Sequence, residues 1–407
     1  MSPEKQLELL KRGTVQVVTE EGLLAKLRQS HKEKRPLRVK LGIDPSGSEL
    51  TLGHAVALLK LKQFQDLGHQ AVLIIGDYTG MVGDPTGRKR TRPALTHEET
   101  LANAADFARQ AARVIDIDAC EVVYNGEWFS KMTFADVIKL AGKMTVARML
   151  ERDDFQQRYR AGEPISIHEF LYSLMQGYDS VMVRADVELG ATEQLFNLLV
   201  GRDLQRDAGQ EEQAVITFPI LVGTDGVRKM GKSENNYICL VAPPEDMFGK
   251  VMSIPDSLMP HYYELLTEVP LSEIEGLKGD LARGGGDPME AKKRLAALVV
   301  ARFHSDDAAA AAREHFERVF SRRELPEEMP EFVVPAEIVK DGAVAPVDLL
   351  EKSGLVPSRS QARRLVSQGA VSLDGVRVAD SESPLPVSDG AVLRVGKRRF
   401  ATLRLPR

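Results

Sequence analysis

The chain has 407 residues, 43% hydrophobic and 28% charged, which excludes a disordered, collagen-like or disulfide-built protein and predicts two or three domains. No apolar run reaches the roughly 18 residues that cross a bilayer, and the polar opening MSPEKQLELLKRG lacks the apolar core of a secretory signal. The two cysteines, Cys120 and Cys239, make neither a zinc cage nor a redox motif, so a reducing cytoplasm is expected, and the formal charge of -5 argues against a nucleic-acid partner for the chain taken whole.

Residues 1–35 read as a charged, helical N-terminal arm. Residues 37–44 (LRVKLGID) read as a strand, followed by a Pro/Ser/Gly turn and a helix from about Gly53 to Leu67. The continuous apolar run at 70–76 (QAVLIIG) predicts a strand buried on both faces. A glycine-rich loop comes next, and Thr96 opens a helix with Glu98 and Glu99 in its first turn. Strand-length and helical segments alternate up to 214–223 (AVITFPILVG), which predicts an α/β domain over 36–243, a parallel sheet covered by helices. Helical patterns alone fill 244–325. Pro326, Pro330, Pro335 and Pro346 then crowd a stretch read as a linker over 326–346. The last segment, 347–407, is predicted as a small α+β unit: a helix at 358–367, then a hairpin turning at Asp374-Gly375. It holds 11 Lys/Arg against 6 Asp/Glu, a charge of +5, leaving -10 on the remainder. The exclusion of nucleic acid therefore does not extend to this unit.

Four groups of residues carry chemistry. Gly42-Ile43-Asp44-Pro45-Ser46 ends the first strand, and Thr51-Leu52-Gly53-His54 opens the helix after it. Strand ends bind ligands in such folds, helix N-termini offer N–H groups to anions, and Gly53 lets a flat ring approach the backbone. The plain alternative is a strand-to-helix turn capped by His54. The run Gly80-Met81-Val82-Gly83-Asp84-Pro85-Thr86-Gly87-Arg88-Lys89-Arg90-Thr91-Arg92 is a basic, glycine-containing loop suited to phosphates, or simply a solvated surface. Lys229-Met230-Gly231-Lys232-Ser233 places two lysines in a flexible loop and does not satisfy the Walker pattern. Tyr172, Gln176 and Asp179 share one helical face: a phenol, an amide and a carboxylate suited to an amino acid, or the wet stripe of an amphipathic helix.

Taken in this order, the groups resemble the bacterial tyrosyl-tRNA synthetase family of class I. The "HIGH" signature stands here as Thr51-Leu52-Gly53-His54 and "KMSKS" as Lys229-Met230-Gly231-Lys232-Ser233, with the tyrosine-type patterns G-x-D-P-[ST], T-G-x-x-G-D-P-[ST]-G and Y-x-x-x-Q-x-x-D beside them. The resemblance implies a Rossmann-like catalytic domain with a dimer-interface insertion at about 128–160, an anticodon-binding helical domain, and a C-terminal domain like one of a small-ribosomal-subunit protein. That last likeness rests on residues 357–364 (PSRSQARR) and 369–375 (GAVSLDG).

It also implies roles. Asp44, Ser46, Thr51, Gly53, His54, Gly190, Glu193, Met230 and Lys232 would hold ATP. Lys229, Lys232, Arg88 and Arg92 would neutralise departing pyrophosphate. Asp84, Tyr172 and Gln176 would hold the tyrosine ammonium group, Asp179 the phenol, and Gln194 the region of the carboxylate. Lys40, standing where many relatives have a tyrosine reaching the phenol, is counted with the tyrosine-binding residues. Arg359, Arg363, Arg364, Lys397 and Arg398 would meet RNA. Magnesium would arrive with ATP rather than in a protein cage, and a cytoplasmic homodimer serving tRNA(Tyr) is expected. The departures from the family patterns are Thr51, Gly231, Lys40, Ala191 and Glu193. Other activities on the same framework are a tryptophan enzyme, an RNA-binding paralogue without catalysis, and a nucleotidyltransferase without tRNA.

Overall fold

The first two apolar runs lie side by side as parallel strands in the computed structural model, which describes residues 1–45, 47, 49–85, 96–321, 329–340, 342–396 and 399–405. Contacts divide the chain into two units, Met1–Arg313 and Glu314–Arg407.

In the first unit six strands form one sheet: β1 (Gln16–Val18), β2 (Arg38–Ile43), β3 (Gln70–Ile75), β4 (Glu121–Tyr124), β5 (Val187–Ala191) and β6 (Ala214–Phe218). Their order is β1–β6–β5–β2–β3–β4. Every neighbouring pair is parallel except β1 with β6. The predicted parallel α/β sheet is therefore present, with an antiparallel edge strand drawn from the N-terminal arm. Three residues between helices are too few for a period-2 pattern to register, so this strand was not anticipated.

Burial explains the central strands. Val39, Leu41, Val72, Leu73 and Ile75 are almost wholly enclosed, each such side chain contributing about 1.5–3 kcal/mol. Helix Leu52–Asp66 begins at Thr51 through a capping box with His54, and helix His97–Ala111 at Thr96 through one with Glu99. The chain reaches β3 on one side of β2 and places β5 on the other. This reversal opens a crevice at the carboxyl ends of β2 and β5, where such sheets bind ligands.

Two helices cover this end: Ile167–Val183 and Leu195–Asp207. They approach closely because Gly177 faces Gly201. A Cβ on Gly177 would stand 2.8 Å from Val200 and 3.0 Å from the Gly201 nitrogen. A Cβ on Gly201 would stand 3.2 Å from Glu188 Oε2, so this glycine leaves room for a buried polar cluster.

Between β4 and β5 lie the short helices Gly126–Phe129, Phe134–Ala141, Val146–Met149 and Asp153–Ala161. Helix Phe134–Ala141 buries no residue, and Phe134, Ile138, Val146 and Tyr159 face outward. Residues 244–316 are helical, with Phe248, Tyr262, Leu266, Leu295 and Val299 at their core. No helix among the described residues is long and apolar enough to cross a membrane.

The second unit corrects the linker expected over 326–346. Strand Glu331–Val333 pairs in parallel with residues 402–404, and Val339–Lys340 and Ala343–Val344 form a small sheet with Leu385–Pro386. Pro330 and Pro335 bracket an edge strand, and Pro346 occupies the first turn of helix Pro346–Lys352. Proline is tolerated at both kinds of position, so its density marked element ends rather than an unstructured spacer. Helix Arg359–Ser367 and the hairpin Val371–Leu373/Val376–Arg377 match expectation. Asp374 and Gly375 both take positive φ, as the two-residue turn requires. Val347, Leu350, Val366, Leu393 and Leu403 form its buried core.

Candidate active site

At the carboxyl ends of β2 and β5 lies a cavity of about 280 Å³. Asp44 at the end of β2 and Ala191, Glu193 and Gln194 at the end of β5 line it, together with Thr51, Gly53, His54, Asp84, Tyr172, Lys229 and Met230.

One wall is the helix start. The Thr51 backbone N–H donates to His54 Nδ1 at 3.1 Å, and the Thr51 hydroxyl lies 2.9 Å from the same nitrogen. His54 is thus both the cap and a cavity residue, so the plain and functional readings coincide. Gly53 faces the lysine loop: a Cβ there would stand 3.7 Å from Met230 Cβ. A Cβ on Gly47 would stand 2.7 Å from Lys232 Nζ, which puts that ammonium beside the loop after β2. Lys229 Nζ donates to Glu193 Oε2 at 3.3 Å across the opening. Two segments more than 170 residues apart in sequence are therefore brought together at the crevice.

The opposite wall is carboxylate-rich. The Tyr172 hydroxyl donates to Asp44 Oδ2 at 2.7 Å, and Thr79 Oγ1 donates to Asp44 Oδ1 at 2.7 Å. Gln194 Nε2 donates to Asp84 Oδ2 at 3.3 Å, while its Oε1 accepts from the Ala191 nitrogen. Burial first, then the charges of Asp44 and Asp84, push the Tyr172 phenol well above its ordinary range, so it stays protonated and a donor. This wall suits a cationic group.

Five expected residues of the tyrosine and ATP site do not line the cavity: Lys232, which lies beside Gly47 instead, and Gln176, Asp179, Gly190 and Lys40. Gln176 and Asp179 lie one and two turns beyond Tyr172 on helix Ile167–Val183. Asp179 accepts from Asn125 Nδ2 at 3.3 Å and Trp128 Nε1 at 3.0 Å. Burial raises its carboxyl to about 7, against the lowering effects of Lys40 and of these two hydrogen bonds. Gly190 turns toward Leu198, whose Cδ1 would be 2.9 Å from an added Cβ, so its smallness serves helix packing. Lys40 is 0% exposed, and its Nζ donates to the Gln176 carbonyl, Ser180 Oγ and Glu188 Oε1, each at 2.8 Å. Its ammonium is thus committed to the helix and to β5 and is not presented at the cavity wall. Asn125 and Trp128 were missed in the sequence because nothing local ties them to Asp179, more than 50 residues later.

Ser46, Arg88, Arg92, Lys397 and Arg398 lie outside the described residues. Among those described, no three His, Cys, Asp or Glu side chains are grouped so as to hold a metal ion. In the second unit Arg363 and Arg364 are exposed, and Arg363 lies 3.5 Å from Glu382. Arg359 is engaged by Asp348 and Glu351, so its charge is partly spent within the unit.

Residues 32–321 match the family model described as tRNA synthetases class I (W and Y). The chain is 52% identical over 399 residues to the tyrosine–tRNA ligase of Moorella thermoacetica, covering 98% of this chain and 95% of that one. It is 51% identical over 400 residues to that of Thermotoga maritima, covering 98% and 97%. The chain belongs to the class I tyrosyl-tRNA synthetase family. Residues 347–390 of this synthetase match the S4 domain, in agreement with the small-subunit likeness of its tail. Its fold is that of a C-terminally truncated Aspergillus nidulans mitochondrial tyrosyl-tRNA synthetase, with a TM-score of 0.62 at 22% identity over 78% of this chain and 94% of that one. The Archaeoglobus fulgidus tyrosyl-tRNA synthetase complexed with L-tyrosine gives 0.61 at 23% identity, over 76% and 99%.

Proposed function

We propose that this synthetase is a tyrosine–tRNA ligase whose first step is performed in the crevice between β2 and β5. The observation that carries the reading is the cavity itself, lined by carboxylates and a phenol, by a helix N-terminus and by Lys229, with the Lys232 ammonium beside Gly47 in the loop after β2. Tyrosine's ammonium group is held by Asp84, Tyr172 and Gln176, its phenol by Asp179, and Gln194 lies at its carboxylate. ATP lies along Asp44, Gly53, His54, Glu193 and Met230, with Thr51 and Ser46 toward its phosphates, and brings magnesium on those phosphates.

No covalent enzyme intermediate and no general base are needed. A tyrosine carboxylate oxygen attacks the α-phosphorus in line, the bond to the bridging oxygen breaks, and pyrophosphate leaves with the electron pair. Lys229 and Lys232, with Arg88 and Arg92, meet the charge that grows on it. The terminal ribose hydroxyl of tRNA(Tyr) then attacks the tyrosyl carbonyl and releases AMP.

The segment 244–325 reads as the anticodon-binding part and the S4 unit as a second RNA contact, through Arg363 and Arg364 with Lys397 and Arg398. Charging of tRNA(Tyr) with labelled tyrosine tests the whole reading. The double variant Arg363→Ala/Arg364→Ala is expected to raise KM for tRNA, to leave adenylate formation unchanged, and to reduce the log–log salt slope of binding by about 2. An unchanged salt slope would remove both arginines from the RNA contact.

The outward apolar side chains of the insertion fit a second copy of this chain, giving a homodimer that works in the cytoplasm. Phe134, at 79% exposed, and Ile138, at 57%, share a face of a helix with no buried residue. Sedimentation velocity is expected to find a dimer for the wild type and a folded monomer for Phe134→Asp/Ile138→Asp. A double variant that remains dimeric would place the interface elsewhere.

A further inference from the structure

Gln176 sits in a hydrogen-bonded chain whose direction is set from both ends. Its Nε2 lies 3.3 Å from Glu188 Oε1, and its Oε1 accepts from Asn197 Nδ2 at 3.0 Å. Glu188 is 1% exposed and takes up donors on both oxygens: Lys40 and Gln176 on Oε1, Ser180 and Gln213 on Oε2. An ionised carboxylate accepts only, so the amide must turn its NH2 toward Glu188. At the other end Asn197 Oδ1 accepts from Arg152 Nη1 at 3.3 Å and from Ser173 Oγ at 2.7 Å. A guanidinium donates only, so Asn197 must turn its own NH2 toward Gln176. Arg152 is itself buried and fixed by both carboxylate oxygens of Asp154 at 2.7 Å.

We infer that two ion pairs, the buried Lys40–Glu188 and the partly buried Arg152–Asp154, are positioning devices that fix the polarity of the Gln176 amide so that its oxygen is the atom offered to the substrate ammonium. This rests on the reading of Gln176 as an ammonium ligand and explains two features of the sequence. Lys40 stands where the family resemblance leads one to expect a side chain reaching the phenol, yet its Nζ is spent on Glu188 and on the carbonyl of Gln176. Lys40 and Glu188 are also direct register partners across β2 and β5, so a residue on either strand can set the other. An amide flipped end for end would present NH2 to an ammonium group, replacing an attraction by a repulsion at a single atom.

Lys40→Met/Glu188→Gln removes both charges of one pair together and strands neither, while a glutamine at 188 can donate as well as accept, leaving the Gln176 amide free to turn. Asn197→Asp works from the other end, replacing a donor to Gln176 Oε1 by an acceptor of the same shape. The probes are L-tyrosine and 3-(4-hydroxyphenyl)propionate, the same molecule without its ammonium, with Kd measured on the full chain by calorimetry. Both variants are expected to weaken L-tyrosine by at least ~10-fold and to change the analogue by less than ~2-fold. Equal losses for both ligands, no loss for either, or failure of both variants to fold would make the network a packing element and overturn the inference. Gln176→Ala separates this from the underlying assignment. If it too shows no preference between the two ligands, Gln176 does not face the ammonium. If it alone is selective, only the polarity relay falls.

Discussion

Replacing Lys232 by alanine is expected to lower kcat for tyrosyl-adenylate formation by about 10²–10³-fold while changing tyrosine affinity by less than about threefold. The loss falls on kcat because the Lys232 ammonium lies beside Gly47 in the loop after β2, whereas the proposed ammonium site is the wall of Asp84 and Tyr172. Charge on the departing pyrophosphate grows only as the phosphorus–oxygen bond breaks, so a cation placed there stabilises the transition state more than the bound ground state. Lys229→Ala is expected to act in the same direction. Its ammonium is paired with Glu193 at 3.3 Å, so polyphosphate must compete with that carboxylate for it. Pre-steady-state measurement of adenylate formation separates the rate from the tyrosine Kd. A variant that loses tyrosine affinity and keeps its rate would assign these lysines to the wrong substrate.

Asp179→Ala is expected to reduce kcat/KM for tyrosine by about 10–100-fold and to narrow the preference over phenylalanine. In the proposed reading the phenol hydroxyl adds a further hydrogen bond to a buried carboxyl that Asn125 and Trp128 already orient, a bond that a phenyl ring cannot make; tyrosyl enzymes are the standing example of that logic. An unchanged preference would mean that another group reads the phenol. Protonation gives the same residue a signature in stability. Its carboxyl titrates at about 7 in the fold, against 3.8 for an unperturbed aspartate. Between those values the folded chain keeps a proton that the unfolded chain has lost, so this residue's contribution to stability falls as pH rises through that window. The stability of Asp179→Asn relative to the wild type is therefore expected to grow from pH 4 to 7 and to level off above, as read by thermal melting across pH. A difference that stays flat would show Asp179 ionised throughout.

The parts of the site that could be read from sequence are those built by local chemistry. Gly42-Ile43-Asp44 ends a strand, Thr51 caps a helix through His54, and Tyr172 sits on a periodic helix face. Each reports its own position without knowledge of the rest of the fold. What could not be read depends on register between distant strands. Lys40 looked like a substrate contact until β2 and β5 placed it opposite Glu188, 148 residues away. Asn125 and Trp128 hold Asp179 from another layer, and Gly190 looked like a nucleotide glycine although it makes space for Leu198. The same limit concealed strand Glu331–Val333, whose partner residues 402–404 lie at the far end of the unit. Prolines there were correctly seen as interruptions, but only the pairing shows that what they interrupt is a sheet.

The central claim is that the crevice between β2 and β5 activates tyrosine and no other amino acid. ATP–pyrophosphate exchange, run with each of the protein amino acids in turn on the full chain, measures this most directly. Tyrosine alone is expected to support exchange. Exchange with tryptophan and not tyrosine, or no exchange with any amino acid, would contradict the account.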